Sequence, residues 1–190
     1  MIDEVLKEKK KLINTMDSAI LGTVNSKNEP NSSYAPFGSD EDGNFYIYIS
    51  ELSKHTKNIV QNPKISIMII EDEKSSQTIF ARKRLTIMGH GRKINRESKE
   101  WETKIKIMEN KFDETFKYLK NMEDFHLFQI APEYGLLVYG FGKAFKLVGS
   151  KLMDISHLNE KGHKPQKEKQ WKKYFYLLFY LTIYYVHQNL

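Results

Sequence analysis

Apolar and polar positions alternate with a period of two through much of this chain, and the middle of the chain switches to a helical period. Ser18 to Asn25 sets Ile20, Gly22 and Val24 against Ala19, Leu21 and Thr23, which predicts a first strand turning at Lys27-Asn-Glu-Pro30. Asn31 to Phe37 returns, and Asp40-Glu-Asp-Gly43 marks a second turn before the aromatic and β-branched strand Asn44 to Ser50. Ser53 is placed to cap a short helix through Gln61, which Pro63 ends. Ile65 to Ile70 reads as a strand with a charged exit at Glu71-Asp-Glu73. Thr78 to Met88 reads as a long strand whose residues Phe80, Arg82, Arg84, Thr86 and Met88 share one face.

Two helical stretches interrupt the alternation. Ile2 to Met16 carries Val5, Leu6, Lys9, Leu12, Ile13 and Met16 on one stripe. Ile94 to Met122 is helix-compatible throughout, with a break near Asn110 to Asp113. Its apolar stripe, Trp101, Ile105 and Met108 followed by Phe112, Phe116 and Leu119, is suited to covering a sheet. Phe125 to Ile130 and Leu136 to Leu147 complete the strands. Short turns, about six antiparallel strands and helices at the rim predict an α+β fold, mainly an antiparallel split β-barrel with an N-terminal helix and a C-terminal tail, rather than a βαβ layer. The expected organisation is a barrel domain over residues 1–148, a polar tail over 149–165 and an aromatic, basic extension over 166–190.

Composition narrows the chemistry. The chain has 190 residues and no cysteine, so thiol nucleophiles, disulfides and cysteine-held zinc are excluded and any metal falls to His, Asp or Glu. The charged first helix is unlike a signal peptide, which predicts a cytoplasmic location. A net charge of +6 favours an anionic partner, but the lysines spread over helical faces without a nucleic-acid module, so no nucleic-acid partner is expected. Tyr174 to Val186 is shorter than the roughly 20 residues a membrane span needs. An interfacial helix and an extension without a role are the two readings of that segment, and no other membrane contact is expected. Gly89-His-Gly91 and Gly140-Phe-Gly142 lack the strand-to-helix setting of a dinucleotide loop and predict bulges or bends instead. No hydrolase triad, paired catalytic carboxylates or phosphate-binding loop is present.

Several motifs in register carry a resemblance. Ser50-Glu-Leu-Ser-Lys-His-Thr-Lys-Asn-Ile59 resembles the strand-to-helix segment of pyridoxamine-phosphate-oxidase-like split barrels, in which flavin or a related ligand sits near the helix start. With Ala81-Arg-Lys-Arg-Leu-Thr86, Asp124-Phe-His-Leu127, Gly140-Phe-Gly-Lys-Ala144 and Ile155-Ser-His-Leu-Asn-Glu-Lys-Gly-His163, in this order, it resembles the HugZ/HutZ family of bacterial haem-utilisation proteins over residues 5 to 165. The resemblance implies a homodimer with haem at the subunit interface and oxidative haem breakdown fed by an external electron donor. It implies that His163, after Gly162, ligates the iron, with His157 the less favoured metal ligand. A catalytic carboxylate bonded to the ligating imidazole falls at Asp124, with Glu123 beside it as the alternative.

Those residue types suit that chemistry. An imidazole that donates its second N–H to a carboxylate is a stronger, better-oriented iron ligand. Arg82 and Arg84 can grip propionates by charge-assisted hydrogen bonds, or pair with the Glu71-Asp-Glu73 cluster. Lys54, His55, Thr56 and Asn58 stand near the helix start as further ligand contacts, Thr56 and Asn58 equally as capping groups. Three functions follow: a haem-degrading oxygenase, a non-catalytic haem carrier, and an FMN-binding oxidoreductase in which Lys54, Thr56, Arg82 and Arg84 hold phosphate. Gly162-His163 favours the two haem readings, because flavin binding has no need of a terminal imidazole.

Overall fold

The computed structural model describes residues 1–158. In chain order it contains helix α1 (Ile2–Thr15), strands β1 (Ser18–Val24), β2 (Pro30–Ser39) and β3 (Phe45–Ser50), helix α2 (Lys54–Gln61), strands β4 (Lys64–Ile70) and β5 (Arg84–Lys93), helices α3 (Lys99–Lys111) and α4 (Glu114–Lys120), and strands β6 (Phe125–Val138), β7 (Ala144–Val148) and β8 (Asp154–His157). All pairings are antiparallel and run β3-β2-β1-β4-β5-β6, and β3 closes back on β6. The result is a six-stranded barrel split along β6: its first half pairs with β3 and its second half with β7, which carries β8 outward. The α+β split barrel read from the sequence is what the chain forms.

Alternation explains the interior. Ala19, Leu21 and Thr23 of β1, Ile65, Ile67 and Ile69 of β4, and Leu85 and Ile87 of β5 are all buried, while their sequence neighbours face out. Phe37, Ile47, Phe128 and Ile130 join them, and Val5 and Leu12 of α1 close one side. A second core lies outside the barrel, where the predicted stripe Trp101, Ile105, Met108, Phe112, Phe116 and Leu119 packs on Tyr46, Tyr48 and Leu127.

Four expectations are corrected. Thr78 to Lys83 is not strand: Ile79–Ala81 forms a 3₁₀ turn and β5 begins only at Arg84. Glu71 causes this, because its carboxylate accepts the Lys83 amide N–H at 2.8 Å and its carbonyl takes the Arg82 guanidinium, folding the segment back on β4. Leu136 to Leu147 is not one strand. β6 instead runs unbroken from Phe125 through Pro132, and a turn with positive φ at Gly140 and Gly142 leads into β7. Pro132 is tolerated because it borders a bulge in β6, where Glu133 is the extra residue between the pairs Met88–Tyr134 and Gly89–Pro132, and where a Cβ on Gly89 would lie 2.3 Å from the Ala131 carbonyl oxygen. Ser53 occupies the cap position of α2 without making a side-chain capping bond. His157 is not in a free tail, since Asp154–His157 pairs with β7.

A polar tie fastens α3 to the barrel. The Asp40 carboxylate accepts from Tyr46 Oη at 2.7 Å, Lys104 Nζ at 2.8 Å and the Asn44 amide at 2.9 Å. Burial alone would raise the Asp40 pKa, but these donors outweigh it and hold it at about 2, while burial and the bond to Asp40 push Tyr46 up to about 12. A depressed carboxylate pKa stabilises the fold above the ordinary carboxylate range and loses that stabilisation as pH falls from there toward 2. Asp40→Asn is therefore expected to lose about 2 kcal/mol at pH 7, about half of that near pH 3 and little near pH 2, read by urea unfolding at each pH.

Candidate functional site

The register between β3 and β6 assembles the site. Ser50 pairs with Phe125, which sets Asp124 beside the exit of β3, and the Glu51 amide donates to the Asp124 carbonyl at 2.8 Å. The Ser50 hydroxyl donates to Asp124 Oδ2 at 2.7 Å and accepts the Leu52 amide N–H at 3.2 Å. A carboxylate can only accept, so the single proton of the hydroxyl is the one shared with Asp124. Among the described residues no donor engages Asp124 Oδ1, so this oxygen is available to accept. The neighbouring Glu123 is exposed and lines a cleft of about 140 Å³ with Lys93, Arg96, Trp101 and His126.

Helix α2 packs over the same end of the barrel. Thr56 Oγ1 donates to the Ser50 carbonyl at 2.6 Å, and Asn58 Nδ2 donates to Thr23 Oγ1 at 3.0 Å. Both side chains are buried, so they bind the helix to the barrel and are not presented to a ligand. Lys54 is exposed at the helix start. His55 is half-buried, its Nδ1 lies 3.0 Å from Ser33 Oγ, and its buried Nε2 has no partner among the described residues. Burial holds the His55 imidazole below its ordinary range and so favours the neutral ring.

The other histidines of the described residues are engaged. His126 Nε2 lies 2.9 Å from Glu51 Oε2 and His90 Nδ1 lies 3.2 Å from Glu133 Oε1. His157 stacks on Phe145 at 4.6 Å between ring centroids, and its Nε2 lies 2.7 Å from the Gly142 carbonyl. A carbonyl can only accept, so Nε2 carries the proton and is closed to a metal while that bond stands. His163 lies outside the described residues. Among the described residues no three His, Asp or Glu side chains gather into a metal cage.

The two arginines are elsewhere. Arg84 pairs with Val138, whereas Ser50 pairs with Phe125, so the whole length of β6 separates them. Arg82 donates to the Glu71 carbonyl and pairs with Glu73 at 3.0 Å, the acidic cluster being its partner within this chain. Arg84 points outward from the sheet with Thr86 and Met88, and donates to the Arg82 carbonyl at 3.0 Å. One chain thus brings Ser50, Thr56 and Asp124 together and leaves Arg82 and Arg84 at the opposite end. Ser50 and the Glu51–His126 pair were not singled out from sequence, because the hydrogen bonds that join them depend on a strand register more than seventy residues apart.

The outward face of the sheet is also notable. Tyr34, Ile20, Met68, Thr86 and Leu136 lie in one cross-strand row, with Tyr134 in the next. Tyr34 is 70% exposed, Tyr134 42% and Ile20 41%, which leaves an apolar band uncovered in the single chain.

Residues 5–139 match the family model described as pyridoxamine 5′-phosphate oxidase. Heme oxygenase HutZ of Vibrio cholerae serotype O1 (strain ATCC 39315 / El Tor Inaba N16961) is 42% identical over 144 residues, 76% of this chain and 81% of that protein. A crystal structure of HutZ from Vibrio cholerae, there described as a heme storage protein, superposes with a TM-score of 0.66 at 35% identity, covering 70% of this chain and 93% of that one. ChuZ from Campylobacter jejuni superposes with a TM-score of 0.75 at 31% identity, covering 87% of this chain and 66% of that one.

Proposed function

The chain belongs to the pyridoxamine 5′-phosphate oxidase family, on its HutZ-like haem-utilisation branch, and from that premise we propose that it binds haem and opens the ring oxidatively to release iron. The observation that carries this reading is the oriented carboxylate. Ser50 fixes Asp124 by one oxygen and leaves the other to accept the N–H of an iron-ligating imidazole, the arrangement that raises ligand basicity and fixes its tautomer. In this reading His163 supplies that imidazole. The protein's part is then to bind haem, present the ligand and exclude competing chemistry, while the bound haem supplies the oxygen activation, fed by an external electron donor.

The apolar outer face suits a second copy of the chain. A two-fold axis between two such faces, perpendicular to the strands, would lay the Arg84 end of one copy over the Asp124 end of the other, where a propionate and a ligating imidazole must both be served. The homodimer is therefore part of the proposal. Light scattering at micromolar concentration is expected to give twice the 22.4 kDa chain mass, and a monomer throughout would count against it.

The function is tested by absorption spectra of the purified protein before and after haem addition, followed by a reductant in air. A Soret band that forms and then decays supports breakdown. A stable band points to a carrier, and flavin bands in the protein as purified point to an FMN-binding oxidoreductase.

A further inference from the structure

Asp124 sits in the short connection between α4 and β6, a segment without regular hydrogen bonding of its own, and an acceptor there is useful only if the segment is held. Arg96 holds it. Its Nη2 lies 3.1 Å from the Lys120 carbonyl, 2.7 Å from the Met122 carbonyl and 3.2 Å from the Phe125 carbonyl, on both sides of Asp124. The same nitrogen donates to Tyr48 Oη, which donates onward to the Lys120 carbonyl at 3.1 Å. Tyr48 in turn packs on Phe125, with ring centroids 5.5 Å apart, and on Phe116 at 5.2 Å. The Arg96 guanidinium lies 5.6 Å from the centroid of the Trp101 ring, whose backbone N–H is fixed by the Ser98 cap of α3. Every partner is a carbonyl, a hydroxyl or a ring, so the guanidinium is spent on geometry; no carboxylate of the described residues pairs with it.

We infer that Arg96 is a positioning residue of the haem site: it clamps the Lys120–Phe125 connection so that Asp124 meets Ser50 with one oxygen and offers the other to the ligating imidazole. The inference rests on the function proposed above. Lysine keeps the charge but lacks the flat guanidinium that lies over the Trp101 ring and holds Nη2 where three carbonyls and a hydroxyl converge.

The test compares Arg96→Lys, Asp124→Asn and the double variant in the full chain. In the haem-free protein, hydrogen exchange at the Glu51 amide, which donates to the Asp124 carbonyl, is expected to accelerate about tenfold in Arg96→Lys while the amides between β1 and β4 stay at their original rates. With haem added, Arg96→Lys is expected to move the Soret band in the direction Asp124→Asn moves it, and the double variant to match Asp124→Asn alone. Unchanged exchange at Glu51, or faster exchange throughout the barrel, overturns the clamp. A wild-type haem spectrum in Arg96→Lys when Asp124→Asn shifts it overturns the positioning role but leaves the proposed function standing. If neither variant shifts the spectrum, the Asp124 reading of the site fails, and with it the functional role of Arg96.

Discussion

Replacing His163 with alanine is expected to move the Soret and ligand-field bands of the haem-loaded protein and to abolish ring opening in air with a reductant. The His157→Ala variant provides the contrast. His157 lies on β8 with its ring against Phe145 and its Nε2 proton on the Gly142 carbonyl. Removing that ring costs about 1 kcal/mol of stacking and hydrogen bonding at the sheet edge, while the Nε2 it removes is already bound to the Gly142 carbonyl. His157→Ala should therefore keep a histidine-ligated spectrum and lose a few degrees in thermal stability. An unaltered haem spectrum in His163→Ala would remove the central claim. The search for the ligand would then turn to His55, whose Nε2 is unpartnered among the described residues and whose burial favours the neutral ring.

The barrel was legible in the sequence wherever one face of a strand is buried, because a period of two then has a single physical cause. Ser18–Val24 and Lys64–Ile70 show it directly. The same signal misled at Thr78 to Lys83, where alternation continues but Phe80 is 84% exposed. There Glu71 captures the Arg82 guanidinium with its carbonyl and the Lys83 amide N–H with its carboxylate, and these hydrogen bonds override the local pattern. The length of β6 was hidden for a related reason: Pro132 and Gly135 look like breakers, and a bulge within β6, with Glu133 as the extra residue, lets the strand run on past them. Asp124 was visible as a candidate from its motif. The groups around it were not, since Ser50 meets it through the β3–β6 register and Arg96 reaches the carbonyls on either side of it through the packing of α3 and α4, neither of which is written in local spacing.

The Asp124→Asn variant is expected to bind haem and to degrade it about 10- to 100-fold more slowly, the range typical for losing a partner that orients a metal ligand. The direction follows from the Ser50 hydroxyl. Its single proton goes to the carboxylate, which can only accept, while one of its lone pairs takes the Leu52 amide N–H. An asparagine that keeps this bond as an acceptor turns its oxygen toward Ser50, which leaves the amide nitrogen where the open carboxylate oxygen had been. That nitrogen can only donate, so it cannot accept an imidazole N–H, and the negative charge that makes the ligand electron-rich is gone as well. Asp124→Glu keeps the charge with a displaced carboxylate and should fall between the two. The rate of Soret decay under a fixed reductant, measured with haem affinity in the same preparations, separates slower chemistry from weaker binding. If Asp124→Asn degrades haem at the wild-type rate with the wild-type spectrum, the carboxylate does no more than tie the end of β3 to the start of β6.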